Sequence, residues 1–158
     1  MTMVYNPSTD LYGDPPGVTI RTSATLAQLC DTDASILAEY SCICTLLEDL
    51  GYTREVDLVS ISYDWRKSPS DWMKPGGYFS QLKAGIENLR KTSGKTVIPV
   101  SFSLGGPVLA VFLNRYVTSA WKDANIANWV SYSGTFGGVQ ESLYQQLTYN
   151  GAYTISSE

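Results

Sequence analysis

At 158 residues, with 44% hydrophobic content and a formal net charge of −4, the chain is long enough for one domain with a sizeable core. Its 11 Lys and Arg residues are scattered, so no basic stripe offers itself to phosphates and nucleic acid is not expected as a partner. The apolar runs fall well short of the roughly 20 residues a membrane span needs, and residues 1–20 lack the basic start and apolar stretch of a signal peptide, so no transmembrane segment is expected.

Residues 1–30 are rich in Pro, Gly, Asp and Tyr and read as an opening loop segment, with a short strand at Val18–Arg21. From Ser35 to Leu50, Ile36, Leu37, Tyr40, Ile43, Leu47 and Leu50 recur at helical spacing, with Asp33 or Ser35 available as a cap and Gly51 as the stop. Cys30, Cys42 and Cys44 are too few and too unevenly spaced for a disulfide framework. Without histidine they make a poor zinc set, so they are expected as buried thiols, and neither metal nor cofactor is expected.

Residues 56–63, VDLVSISY, alternate apolar and polar side chains and predict a strand. DWRKSPSDWMKPGG follows as a loop. A helix is predicted from Tyr78 to about Ser93, stopping at Gly94. Next come a strand at 96–102, an apolar helix at about 104–118 and a strand at about 128–133. Alternating strands and helices imply right-handed crossovers and a parallel α/β sheet, whose carboxyl strand ends gather function. Ser103 and the loops at 64–77 and 134–138 fall at such ends.

VIPVSFSLGGPVLAVFL, residues 97–113, places Ser103 where a β-rich run turns into an apolar helix. That is the context of the G-x-S-x-G nucleophile turn, here with Ser101 in place of the first glycine. Small flanks are needed because the strained turn brings strand and helix close together. The helix N-terminus would aim free N–H groups at an oxyanion. The same serine also fits as a plain helix cap, and the residues alone leave both readings open. A serine nucleophile ordinarily needs a base, and the chain has no histidine. Lys83, Lys91, Lys95 and Lys122 read as solvated positions rather than substitute bases. Pro99, inside a predicted strand, removes a ladder hydrogen bond and belongs on an edge or a bulge.

NPSTDLYGDPPGVTIR, ISYDWRKSP, SFSLGGPVLAVFL and WKDANIANWVSYSGTFGG, in this order, resemble lecithin:cholesterol acyltransferase and its lysosomal phospholipase and plant or protist acyltransferase relatives, from about Val4 to Gly138. The resemblance implies an α/β fold. Specifically, it implies a partial α/β-hydrolase fold, a parallel sheet with flanking helices, in one domain over 1–158: the opening segment 1–30, an α/β core with the serine turn over 31–138, and a C-terminal helix or tail over 139–158. It also implies a phospholipid or acyl-lipid substrate, met at a membrane surface. Ser103 matches the nucleophile and the Leu104 backbone N–H one oxyanion donor.

Asp64, Trp65, Arg66 and Phe102 are the substrate-binding candidates that go with it. Asp64 and Arg66 sit at a strand end facing the site, where a salt bridge that shapes the loop is the simpler role. Trp65, with Trp72, Met73 and Tyr78, suits an acyl-chain wall or the packing of the long loop equally well. Phe102 replaces the histidine that the family carries before the serine, and Gly134–Gly138 replace its Ala-Pro-Trp-Gly-Gly, changes that bear on the acyl pocket and the turn geometry.

The family's catalytic Asp and His lie downstream of the last block and cannot be carried over. A strand and loop that supply the second oxyanion donor lie upstream of the PGV block. In the α/β-hydrolase order that strand sits between the strands predicted at 56–63 and 96–102, so the expectation is a sheet with a gap, either closed directly or flanked by two unpaired edges. The chain then reads as a truncated lipid O-acyltransferase or phospholipase-like protein, inactive by itself, with a non-catalytic lipid-binding or interaction module as the alternative.

Overall fold

The computed structural model describes residues 3–20, 22, 26–31, 38–140 and 144. The opening segment is not all loop: β1 (Val4–Asn6) and β2 (Leu11–Gly13) form an antiparallel hairpin, with Tyr5 against Tyr12 across the ladder. The strand predicted at Val18–Arg21 does not form over Val18–Ile20. The Ile20 N–H is taken instead by the Asp14 carboxylate at 2.7 Å, and Arg21 lies outside the described residues.

Helices α1 (Leu26–Cys30) and α2 (Ala38–Asp49) pack together through a disulfide between Cys30 and Cys44. This corrects the expectation of buried thiols. Cys42 and Cys44 are two residues apart on one helix and so point to nearly opposite sides, which lets Cys44 alone meet α1 and leaves Cys42 free and exposed. The start predicted for α2 near Ser35, with both candidate caps, lies outside the described residues. Its end is as predicted, with Gly51 at φ +94° and its N–H on the Glu48 carbonyl.

Residues 56–63 do not become a strand. A single bridge between Arg54 and Leu58 closes a local turn, in which the Leu58 N–H returns to the Thr53 carbonyl. Beyond it, residues 59–63 join no ladder. Alternation selects which side chains face inward, but a strand exists only where a neighbouring backbone pairs with it.

The loop at 64–77 contains the short helix α3 (Pro69–Met73), started by a capping box in which Ser68 and Asp71 satisfy each other's backbone N–H. Helix α4 (Tyr78–Ser93) and its Gly94 stop are as predicted. The predicted apolar helix at 104–118 is α5 (Gly105–Val111) continued by a π-helical turn (Phe112–Tyr116). A further helix, α6 (Ser119–Asn125), follows, its first turn held by the Thr118 hydroxyl.

β3 (Val100–Phe102) and β4 (Val130–Tyr132) pair in parallel, as expected of a crossover through a helix. Flanking helices on a parallel pair make this a partial α/β fold. Val97 opposes Ile126 whereas Val100 opposes Val130, so the register slips by one residue between them. Pro99 sits at that slip with its carbonyl accepting from Val130, and the donor it lacks is absorbed in the bulge. The main core lies under α4 and α5, where Trp72, Phe79, Phe112, Val108 and Leu109 are buried together.

Candidate active site at the strand-to-helix turn

Ser103 follows β3 directly and precedes α5, with φ at +50°. A non-glycine residue rarely adopts that conformation, which costs on the order of 1–3 kcal/mol and persists only where its surroundings impose it. Three backbone bonds do so here. The Ser103 N–H donates to the Tyr132 carbonyl at 3.0 Å, while the Ser103 carbonyl accepts from Gly106 N–H at 3.0 Å and Thr135 N–H at 3.3 Å. The serine is thus pinned between the end of β4, the start of α5 and the loop after β4.

A plain cap would accept a backbone N–H of the first helical turn on its hydroxyl; no such bond is made by Ser103 Oγ among the described residues, and the residue in the capping position is Leu104. Leu104 is exposed, at the head of α5.

The small residues around the turn work differently from the simple flank rule. Ser101 is buried and its hydroxyl accepts from the Trp129 indole N–H at 2.9 Å. A Cβ added at Gly105 would stand 3.6 Å from Ser101 Cβ, an ordinary contact. The tight point is one residue later. A Cβ at Gly106 would come within 3.1 Å of Gly134 Cα, and one at Gly134 within 2.5 Å of Ser131 Oγ. Gly106 and Gly134 therefore hold the head of α5 against the loop after β4. The glycine pair at 105–106 and the S-G-T-F-G-G run were the signal for this, but only their spatial meeting gives it meaning.

Of the other candidates, Phe102 and Asp64 border two different cavities. Phe102, stacked on Tyr132 and edge-on to Tyr40, borders a cavity of about 390 Å³ together with Ser101 and Gly105. Asp64 borders a separate one of about 210 Å³ with Lys67, Asp71 and Trp72. Both Asp64 oxygens are held by Arg66, through Nε at 2.9 Å and Nη2 at 2.7 Å, and Nη2 also reaches Asp14 at 2.7 Å.

The Arg66 hydrogen bonds hold the Asp64 carboxyl below the usual range, and the Ile20 N–H followed by Arg66 does the same for Asp14. Asp64 and Arg66 thus tie the loop at 64–67 to the stretch after the opening hairpin. Trp65 is exposed, whereas Trp72 and Tyr78 belong to the packed interior, where burial pushes the Tyr78 phenol well up.

No side chain among the described residues hydrogen-bonds Ser103 Oγ, and the sequence contains no histidine. Lys83 pairs with Glu87 at 2.7 Å and lies over the Trp121 ring, while Lys91 and Lys95 are exposed. Among the described residues no group of His, Cys, Asp and Glu gathers as metal ligands would.

A family model described as lecithin:cholesterol acyltransferase matches residues 1–153. The chain is 32% identical over 146 residues to a human lysosomal phospholipase A and acyltransferase, covering 89% of this chain and 34% of that protein. It is 33% identical over 141 residues to the human phosphatidylcholine-sterol acyltransferase, covering 86% and 31% respectively. The rat lysosomal phospholipase A and acyltransferase is 37% identical over 102 residues, 63% of this chain. The chain thus spans about a third of the length of the human relatives.

Proposed function

Since the chain belongs to the lecithin:cholesterol acyltransferase family, we propose that it carries the nucleophile-bearing part of a serine acyl-transfer site for phospholipid acyl esters. The observation that carries this reading is the +50° φ of Ser103 at the junction of β3 and α5, backbone strain that a helix cap does not require. In the step it serves, Ser103 Oγ attacks the ester carbonyl and the Leu104 N–H donates to the oxyanion. The tetrahedral species then expels the lysophospholipid, whose leaving oxygen receives the serine proton through a general base, and leaves an acyl-serine, which passes its acyl group to an alcohol or to water. Phe102, the candidate acyl contact, borders the cavity of about 390 Å³ beside that turn.

The serine proton has no acceptor here: no base bonds Ser103 Oγ among the described residues, and no histidine exists in the sequence. Losing the base of a serine triad leaves only residual catalysis. By itself the chain is therefore expected to show no acyl transfer above background on phosphatidylcholine vesicles or a soluble ester. A fluorophosphonate probe would test the geometry separately. Labelling of Ser103 accompanied by steady ester turnover would overturn the inactivity, because turnover needs a base for the serine proton.

The unpartnered hydroxyl also gives weight to a second reading, a lipid-binding module that keeps the fold without the chemistry. Among the described residues no helix is long and apolar enough to cross a membrane. Vesicle co-sedimentation unchanged in Ser103→Ala favours the module; fluorophosphonate labelling that is lost in that variant favours the acyl-transfer site.

A further inference from the structure

Among the described residues the buried apolar side chains gather in two clusters. The larger lies under α4 and α5. The smaller consists of Leu26, Cys30 and Cys44, with Leu58 packed against it, and shares no buried residue with the larger. Two of its three members are thus the bonded cysteines that join α1 to α2. Cys44 is also the one buried residue of α2 among those described. Little else described holds α1. Five residues are too few for a helix to stand by itself. The Leu26 N–H donates to the Glu55 carboxylate at 2.7 Å, and Asp31, just past the helix, pairs with Arg54 at 2.6 Å. The aspartate of that pair is exposed, and exposed pairs contribute little.

We infer that the Cys30–Cys44 bond is a redox latch: a dithiol reductant frees α1 from α2 while the core under α4 and α5 stays folded, and the release is felt at the serine turn. One thiolate of the dithiol attacks a protein sulfur, and the other cysteine leaves and is protonated. The second dithiol sulfur then attacks the first, expelling the remaining cysteine, which is protonated in turn. Two electrons and two protons have passed to Cys30 and Cys44, and the reductant departs as a cyclic disulfide. The bond spans a sequence separation of 14, and losing a cross-link over such a loop raises the opening equilibrium on the order of a hundredfold. Opening stays local because the two clusters have no buried residue in common. It reaches the turn through α2, whose Tyr40 ring stands edge-on to Phe102 at 5.2 Å, one residue before Ser103. Cys42 is exposed on the far side of α2, so it does not compete for Cys30 while the helix is intact. The inference is independent of any chemistry at Ser103.

The test compares the unmodified full chain before and after dithiothreitol, by iodoacetamide alkylation, amide hydrogen exchange and phenylalanine ring resonances. Alkylation should mark Cys42 alone at first and all three cysteines afterwards. On reduction the amides of Leu26 and Asp31, bonded to Glu55 and to the Ala27 carbonyl, should exchange faster by about a hundredfold, and the Phe102 ring should shift. The amides of α4 and the Phe112 ring should not change. Cys42→Ser should respond as the unmodified chain does, whereas Cys30→Ser/Cys44→Ser should show the reduced pattern from the start and ignore the dithiol. The unmodified chain carries the test if the double variant does not fold. A bond that stays closed in dithiothreitol, α1 amides that keep their protection after reduction, or α4 opening together with α1 would each overturn the latch, the last by making the bond a staple of the whole fold. A Phe102 ring that does not move overturns its reach to the turn.

Discussion

The two sides of the α4–α5 layer are built from the same kinds of residue and end up in opposite conditions. Toward α3 and α6, Phe79 and Phe112 are fully buried, and rings from Trp72, Tyr116 and Trp121 close around them at centroid distances of 5.5–5.9 Å. Toward the sheet, Ile86 and Leu109 are also buried, yet they border an open cleft between residues 57–63 and β3, which share no ladder among the described residues. Helices complete their hydrogen bonds internally and need only an apolar partner, so the first side closes with what the chain offers. A sheet needs another backbone, and on the second side none of the described residues pairs with the free edge of β3.

Truncating one residue on each side should therefore have unequal effects. Phe112→Ala is expected to cost about 3–5 kcal/mol, because the surrounding rings cannot collapse into the void and α6 loses the ring against which Trp121 packs. Ile86→Ala borders space that is already open and should cost about 2 kcal/mol, at the bottom of the range for such changes. Denaturant melts of both variants check this. Equal losses would mean that the cleft side is as tightly filled as the aromatic side.

Ser103→Gly sharpens the comparison at the turn between the two sides. Glycine adopts φ +50° without a Cβ penalty, so the variant should be more stable by about 1 kcal/mol while losing any reaction with a fluorophosphonate probe. A stability unchanged or reduced would mean that the turn is not strained.

How far these features could be read in advance follows the same division. Helix α4 and its Gly94 stop were legible in full because a helix writes its period and its caps locally. The parallel pairing of β3 with β4 followed from the alternation of elements, and Ser103 from the local junction of a β-rich and a helical run. Residues 56–63 showed the right alternation and still formed no strand, because pairing depends on a neighbour that their own sequence does not specify. The α6 helix was missed for want of a long apolar stripe, although Thr118 and the Ala-Trp pair gave it a start. The Cys30–Cys44 bond turned on which of two nearby cysteines faced α1, a question of helix phase rather than spacing. Gly106 and Gly134 are far apart in sequence, and only the packed turn shows that a Cβ at either would crowd its neighbours.

The smallest expected effect concerns the tie between the opening segment and the loop after 63. Arg66 bridges Asp14 and Asp64, and both carboxyls lie below their ordinary range in the folded chain. A group whose folded pKa is depressed lends stability above its unfolded pKa and loses it as pH falls through the folded value. The tie should thus hold at neutral pH and weaken only below about pH 4, the unfolded range of an aspartate. Trp65, exposed and next to both partners, reports it: its fluorescence should change with acid before the aromatic core around Phe112 melts. Asp64→Asn removes the charge that Arg66 grips in two places and should flatten that early acid step while leaving the later one in place. An unaltered early step would assign it to other carboxylates and leave the bridge without a part in holding the hairpin end of the molecule to the rest.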